Sequence, residues 1–295
     1  MSDNHDNMLI AQGDASSVTV ASIKSIKYPL DKLNKIVWNS GNDSKLKIIK
    51  ADSGDRKAGK DVYVQYRIDF DDLDNADIAT DLTAYDKRVY IAVSSIYNAG
   101  NETMSLTMIH KAMGNAGSPD AKQLARINNS ITKMASAHIY VDNGSEAKTY
   151  QGYKHFVYDA SLLPCERVSA KINGKLTDAA IHLFREPPLM TFAKDRKHIT
   201  ALPIALLISP LSKTEANLQL EDYILQAISH MQHHTSFPRK MLINTICKRC
   251  GINTRMQRSR VLAKIRTLLE YYTQQKYIAG YTQVSDGILI DLTSG

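Results

Sequence analysis

The sequence predicts an α+β protein with two winged-helix domains in tandem, each a helix-turn-helix followed by a β-hairpin wing. The first observation behind this fold class is an order of three helical segments and a hairpin that occurs twice along the chain. The second is that the third helical segment of each set has a basic outer face. The third is size, because 295 residues with 43% hydrophobic content suffice for two domains with separate cores.

The first set of elements lies in the first two thirds of the chain. Apolar residues recur at helical spacing in three successive segments, which predict helices over 84–98, 105–113 and 119–136. Ser118 as cap and Pro119 at the first helical position are expected to open the third helix. A β-rich segment from residue 138, the turn signal Asp142-Asn143-Gly144 and a strand over 150–158 predict the wing.

The second set repeats this order near the C-terminus. Its periodicity predicts helices over 218–231, 238–250 and 254–275, then hairpin strands over 277–282 and 288–292. We therefore divide the chain into three parts. They are a polar, partly ordered N-terminal extension (1–57), a first winged-helix domain with extra strands (58–211) and a second winged-helix DNA-binding domain (212–295).

Positive charge is concentrated in the second set. The chain has a formal net charge of +7 and a pI near 9.1, and residues 239–276 contain ten Lys or Arg against the single acid Glu270. So many positive charges in one segment repel one another unless an anion binds to them. The backbone of a nucleic acid is the anion that such segments commonly bind. The structural alternative is a solvated helix face without a ligand.

The outer faces of the two third helices are the predicted DNA-binding surfaces. Arg and Lys donate to guanine or phosphate, Asn and Gln pair with adenine, and hydroxyls bind either. The second helix contributes Arg255, Gln257, Arg258, Arg260, Lys264, Thr267 and Tyr271. The first contributes Lys122, Arg126, Asn129 and Lys133. The alternative for each helix is that its outer face is hydrophilic but binds no ligand. This alternative is weaker for the second helix, which is more basic.

Signatures of catalysis are missing from the sequence, which predicts that the protein is not an enzyme. No phosphate-binding loop of the type G-x-x-x-x-G-K-[ST] occurs, and His155, His182 and His198 stand apart from one another. A cluster of His230, His233 and His234 precedes Cys247 and Cys250, but its order and spacing do not match common zinc fingers. We therefore expect no metal and no cofactor.

Cysteine content and hydropathy indicate a cytoplasmic protein without a membrane span. Three cysteines are too few for a disulfide framework, and the N-terminus lacks the layout of a signal peptide. The longest apolar stretch, 199–211, is interrupted by Pro203 and Pro210 and falls short of a membrane span.

Four short segments resemble the replication initiator proteins of bacterial plasmids and integrative elements. They read Leu-Thr-Ala-Tyr-Asp-Lys-Arg-Val-Tyr (82–90), Ala-Gly-Asn-Glu (99–102), Met-Ile-His-Lys-Ala-Met (108–113) and Leu-Phe-Arg-Glu-Pro-Pro-Leu (183–189). The resemblance implies a tandem winged-helix initiator whose C-terminal unit reads repeated origin sequences. It also implies an N-terminal unit that supports phosphate contacts or dimerisation, and dimers that repress the initiator's own gene.

Carried over by position, the resemblance makes Arg260, Lys264 and Thr267 the base readers. Lys122, Arg126 and Lys133 become contacts to the backbone or to a second site. The leading hypothesis is a sequence-specific binder of double-stranded DNA that starts plasmid or mobile-element replication, with host replication proteins and a second copy of itself as partners. The alternatives are a winged-helix transcription regulator and a winged-helix module that binds an acidic protein.

Overall fold

The computed structural model describes residues 24–38, 45–50, 62–70, 81–172, 175–234, 236–250 and 254–293. It is an α+β structure, as the sequence predicts. The N-terminal part of the described chain forms β1 (Ser25–Pro29), α1 (Lys32–Val37), β2 (Lys47–Lys50) and β3 (Tyr63–Phe70).

The first helix-turn-helix unit follows. In chain order it contains α2 (Ala84–Asn98), β4 (Thr103–Ser105), α3 (Leu106–Ala112), α4 (Ala121–Ser136), β5 (Ala137–Asp142), α5 (Gly144–Thr149), β6 (Val157–Ser161), β7 (Cys165–Ile172) and β8 (Lys175–Leu183). Helix α2 agrees with the predicted range because Thr83 and Asp86 form a capping box at its start. Helix α4 begins later than predicted, since Asp120 is its cap and forms a capping box with Gln123. Ser118 therefore does not cap it.

The connection and the second unit complete the chain. Helix α6 (Pro188–Asp195), β9 (Ile199–Pro203) and a 3₁₀ turn (Ile204–Leu207) lead into α7 (Glu215–His233), β10 (Lys240–Leu242), α8 (Ile243–Arg249), α9 (Thr254–Gln274), β11 (Gly280–Gln283) and β12 (Gly287–Asp291). The prediction of one helix over 238–250 is wrong in its first turn. Met241 instead pairs with Ile288 of the hairpin, which makes this segment a short strand.

Both units share one topology. In the second unit the sheet order is β10-β12-β11, so the strand between the first two helices pairs with the last strand of the hairpin. In the first unit the order β4-β8-β7 repeats this arrangement. The repeat that the sequence indicates is therefore present as a repeat of strand pairing as well as of helix order.

The predicted wing of the first unit lies in the wrong place. Strands β5 and β6 do pair, but within a separate four-stranded sheet of order β2-β3-β5-β6. The Asp142-Asn143-Gly144 signal opens helix α5 rather than a tight hairpin, because the Asn143 side chain bonds to the backbone of Lys154 and Phe156 and holds a longer loop. The hairpin that corresponds to the second unit's wing is β7-β8.

Two segments of the N-terminal extension pack against the rest of the chain. Strand β1 pairs with β9, strand β2 pairs with β3, and Trp38 is buried in the core of the first unit. Residues 24–38 and 45–50 therefore belong to the fold, although the predicted boundary at residue 57 separates them from it. The remainder of the extension, 1–23, 39–44 and 51–57, lies outside the described residues.

Helices α2 and α7 join the two units through charged contacts. The Lys87 ammonium lies 2.8 Å from Asp222, and the Arg88 guanidinium lies 2.7 Å from Glu221. Glu215 also accepts a hydrogen bond of 2.6 Å from the backbone N–H of Ala84 at the start of α2. The apolar cluster of the second unit also contains Ile91 of α2 and Ile26 of β1, so apolar packing joins the two units together with these charged contacts.

Candidate nucleic-acid interface

Helix α9 buries one face in the core of the second unit. Its buried residues recur at helical spacing and are Val261, Ile265, Leu268, Leu269 and Tyr272. Such a stripe holds the helix by apolar burial and leaves the opposite face open to solvent. The sequence predicted this buried face correctly, apart from Leu262, which is half-buried.

The open face of α9 is cationic and has a small residue at its centre. Arg260 and Arg266 are exposed on either side of Ala263, which lies directly opposite the buried stripe, while the exposed Arg258 is directed toward the hairpin turn. A small residue at the centre lets the helix backbone approach a partner closely, while the flanking guanidinium groups can donate to bases or phosphates. Glu270, an exposed acid, lies on the same face about two turns beyond Ala263.

Two arginines of α9 hold the β11-β12 hairpin beside the helix. The Arg266 guanidinium donates to Oε1 of Gln283 on β11, with distances of 3.0 and 2.6 Å. The Arg258 guanidinium lies 3.4 Å from the carbonyl oxygen of Ser285 in the hairpin turn. Helix and hairpin therefore form one continuous surface. Sequence reasoning counted Arg266 in the basic block but missed it as a site residue.

The structure divides the predicted residues of α9 into two groups. Arg258 and Arg260 are exposed, as predicted, and Arg260 lies on the open face. Lys264 and Tyr271 are turned aside: the Lys264 ammonium donates to Asn217 of α7 at 2.8 Å, and the Tyr271 hydroxyl donates to the carbonyl oxygen of Ala205. Both predictions need correction, since these side chains contact neighbouring elements that a helical projection does not include.

Three further predicted residues of α9 remain. Thr267 is half-buried, and its hydroxyl donates to the carbonyl oxygen of Ala263 within the helix. The side chains of Arg255 and Gln257 lie outside the described residues, although both positions fall within the helix.

In the first unit, the exposed face of α4 carries fewer cations. Lys122, Arg126 and Asn129 are exposed, as predicted. The Arg126 guanidinium lies over the ring of Tyr85, with its central carbon 3.6 Å from the ring centroid. This cation–π contact restrains Arg126 while leaving it accessible. Arg167 of β7, which the sequence did not single out, donates to Asn128 of the same helix at 2.9 Å.

Lys133 is not part of a DNA-binding face. It is buried, and its ammonium donates to Asp86 at 2.8 Å and to the carbonyl oxygen of Asp81 at 3.0 Å. Asp86 also accepts hydrogen bonds from Ser130 and Thr83, which completes a buried network between α2 and α4. The helical projection failed here because the C-terminal half of α4 is enclosed by α2, β5 and β6.

The His and Cys cluster weighed as a zinc site separates in the structure. Cys247 and Cys250 are buried in the core of the second unit, and burial raises the pKa of the Cys250 thiol to about 12. His230 instead stacks with His234 near the end of α7. Across the described ranges, no three His, Cys, Asp or Glu side chains come together in a group able to hold a metal ion.

Comparison with known proteins gives a distant similarity of fold. Two crystal structures of domains 2 and 3 of RctB align with this chain. One covers 80% of this chain and 82% of its own, with a TM-score of 0.44 and 10% identity. The other covers 90% and 97%, with a TM-score of 0.46 and 9% identity.

No protein-family model matches the chain, and no curated protein matches it significantly. None of the helices in the described ranges has the length and apolar character needed to cross a membrane.

Proposed function

We propose that the chain is a sequence-specific double-stranded DNA-binding protein that has no catalytic activity of its own. In this proposal the second unit places α9 in the major groove, where Arg258 and Arg260 reach base edges or phosphates. Recognition helices of helix-turn-helix proteins bind in this way, with residues of their N-terminal half directed at the bases.

The open face of α9 is the observation that supports the proposal. It combines the exposed Arg260 and Arg266, a small central residue and a hairpin fixed along its border. Exposed Lys248 and Arg249 at the end of α8 add positive charge just before α9. A surface of this kind suits a polyanion with a groove, since phosphates supply affinity and base edges supply specificity.

The first unit is proposed to support this binding with weaker contacts. Lys122, Arg126 and Arg167 can reach phosphates, whereas Lys133 is committed to the interior. The charged contacts between α2 and α7 would hold the two helices α4 and α9 at one fixed separation. Such a separation predicts a DNA site with two contact regions at constant spacing.

The biological role we propose is initiation of plasmid or mobile-element replication. It rests on the resemblance of residues 82–90, 99–102, 108–113 and 183–189 to replication initiators. Origin repeats would be the DNA target, and host replication proteins and a second copy of the chain would be the partners.

The test is binding of the full chain to fragments that tile the DNA around its own gene, at two salt concentrations. Tight, salt-sensitive binding to one fragment with repeats is the expected result, and Arg260→Ala should weaken it by about 1–3 kcal/mol. Lys27→Ala is the matched control, because Lys27 is an exposed cation on β1 outside both helix-turn-helix segments.

Two outcomes would contradict parts of the proposal. Equal affinity for every fragment would refute sequence-specific binding. Specific binding only upstream of an unrelated gene, with no repeats beside its own gene, would replace the initiator with a transcription regulator.

A further inference from the structure

The connection between the two units, residues 196–214, is paired with the N-terminal strand. Strand β1 runs antiparallel to β9 over all five residues, with Ile26 opposite Leu202. In the part of the chain that the structure describes, β1 is the strand that pairs with β9. Without this pairing, a segment that joins two units over the surface would be mobile. The N-terminal strand therefore makes part of the connection rigid.

Strand β1 also contacts a helix of each unit. The backbone N–H of Lys27 donates to Oγ of Ser95 on α2 at 3.0 Å, which is a contact with the first unit. The Tyr28 hydroxyl donates to the carboxylate of Asp222 on α7, which is a contact with the second unit. The Lys87 ammonium of α2 lies 5.3 Å from the centroid of the Tyr28 ring and 2.8 Å from the same carboxylate. Tyr28 is 3% exposed, so its ring fills the junction between α2 and α7.

The junction around Tyr28 is closely packed. Ile26 is buried in one apolar cluster with Ile91 of α2 and Leu225 of α7. The cavity that remains among these elements has a volume of about 20 Å³, which is room for about one water molecule. Close-packed interiors transmit a displacement instead of absorbing it. A movement of β1 would therefore shift α2 and α7 relative to each other.

The 3₁₀ turn that follows β9 contacts the helix-turn-helix of each unit. In the first unit, Gly114 follows α3 with a φ of +81°, and a Cβ at this position would lie 2.8 Å from the Cβ of Leu207. Glycine permits this close approach because it has no side chain. In the second unit, the Tyr271 hydroxyl of α9 donates to the carbonyl oxygen of Ala205. The turn thus contacts both the α3-α4 connection and the helix that carries the exposed arginines.

We propose that β1, β9 and the 3₁₀ turn (Ile204–Leu207) act as a strap that fixes the separation between α4 and α9. Tyr28 and Tyr271 are its positioning residues, because Tyr28 holds the strap in the junction and Tyr271 holds α9 to the strap. The strap makes the protein select DNA sites by the spacing between their two contact regions. This selection rests on the DNA-binding function proposed above, whereas the fixed separation is a property of the protein without DNA.

Double electron–electron resonance on the full chain tests the fixed separation. Spin labels on Ala125→Cys of α4 and Gln274→Cys of α9 report the distance between the helices from exposed positions. Cys165→Ser removes the half-buried native thiol, and the two remaining cysteines are buried. This labelled parent protein should give a single narrow distance peak.

Two variants of the labelled protein remove contacts of the strap. Tyr28→Ala removes the ring from the junction, and Tyr271→Phe removes only the hydroxyl that bonds to Ala205. Each should broaden the distance peak or add a second, longer distance. Tyr281→Phe is the matched control, because it removes a hydroxyl that lies outside the strap and 3.3 Å from Glu270. It should leave the peak unchanged.

The spacing selection is tested on a DNA fragment that the wild type binds specifically. Insertion of about five base pairs, half a helical turn, moves one contact region to the opposite side of the duplex. The wild type should then bind about a hundredfold more weakly, because both units can no longer bind at once. Tyr28→Ala and Tyr271→Phe should each lose less than about tenfold from the same insertion.

The strap is overturned if the parent protein shows no single narrow peak, or if both variants keep that peak unchanged. If thermal unfolding shows that Tyr28→Ala does not fold, Tyr271→Phe decides the question. A broadened peak together with the wild-type response to the insertion overturns the role in spacing. A complete absence of specific DNA binding by the wild type would instead contradict the proposed function, and the distance measurement would still decide whether the strap exists.

Discussion

Helices α4 and α9 occupy equivalent positions in two units of the same topology, yet their polar residues do different things. In α4, Lys133 is directed inward to Asp86, and Arg126 lies over Tyr85. In α9, Arg260 and Arg266 remain exposed on either side of Ala263. Each helix directs one lysine to the helix packed beside it, Lys133 to Asp86 and Lys264 to Asn217, and the two helices differ in the arginines that α9 leaves exposed.

The difference follows from what packs around each helix. A four-stranded sheet, with β2 from the N-terminal segment at one edge, is added to the first unit and encloses the end of α4. The second unit has no comparable addition among its described elements, so α9 stays open on one side. Burial by elements distant in sequence decided which lysines and arginines are available to a ligand.

The largest expected effect concerns Lys133, and its absence would contradict the difference drawn between α4 and α9. Lys133→Met removes the cation that pairs with buried Asp86, and an uncompensated buried charge costs about 3–5 kcal/mol of folding free energy. Chemical denaturation should show this loss, with Lys122→Ala within about 0.5 kcal/mol of wild type as an exposed control on the same helix. A Lys133→Met protein that is as stable as the wild type but binds DNA more weakly would show that Lys133 contacts DNA.

The second effect compares one arginine from each helix. Arg260→Ala should weaken specific DNA binding by about 1–3 kcal/mol. Arg126→Ala should weaken it by less than about 1 kcal/mol, because in this proposal Arg126 contacts only the phosphates of the DNA. Fluorescence anisotropy on one origin fragment at fixed salt measures both. Equal losses from the two variants would show that the units contribute alike.

The third effect depends on pH and concerns the contact between α7 and the N-terminal segment. His230 has its pKa lowered to about 4 from 6.5, chiefly by burial, so the folded protein favours the neutral imidazole. Above pH 6.5 the imidazole is neutral in both the folded and the unfolded protein, so His230 does not change the free energy of unfolding. As the pH falls from 6.5 toward 4, the unfolded protein binds this proton more readily, and the free energy of unfolding decreases. Because His230 is only partly buried, we expect a contribution of about 1 kcal/mol. Melting curves of His230→Gln should show a correspondingly smaller loss over this range; an identical loss would remove His230 as its source.

The smallest effect tests the link between helix and hairpin in the second unit. Arg266→Ala and Gln283→Ala should each weaken DNA binding by about 0.5–1 kcal/mol, because either change releases the hairpin from α9. If the link is the cause, the double variant should lose little more than either single one. Fully additive losses would mean that the two side chains contact DNA separately.

Local signals in the sequence were enough to predict much of this fold. Helices α2, α3, α7 and α9 follow from apolar spacing, and the β11-β12 hairpin follows from the Ser285-Asp286-Gly287 turn. The exposed Arg260 followed from the same projection, because α9 has a core on one side only.

Long-range contacts account for what the sequence did not reveal. Ile26 and Tyr28 alternate inward on β1, but their partner strand β9 is more than 170 residues away, as in the pairing of Ile26 with Leu202. Lys264 is drawn to Asn217 of α7, and Lys133 to Asp86 of α2. None of these partners lies within the periodic window that locates the helix or strand itself.

The most direct test of the central claim places a negative charge at equivalent exposed positions of the two helices. Ala263→Glu puts a carboxylate at the centre of the open face of α9, and Ala125→Glu puts one on the exposed face of α4. If α9 is the recognition helix, Ala263→Glu should weaken specific DNA binding by about a hundredfold or more and Ala125→Glu by less than about tenfold, with unchanged melting temperatures. Equal losses, or a larger loss from Ala125→Glu, would contradict the assignment of DNA recognition to the second unit.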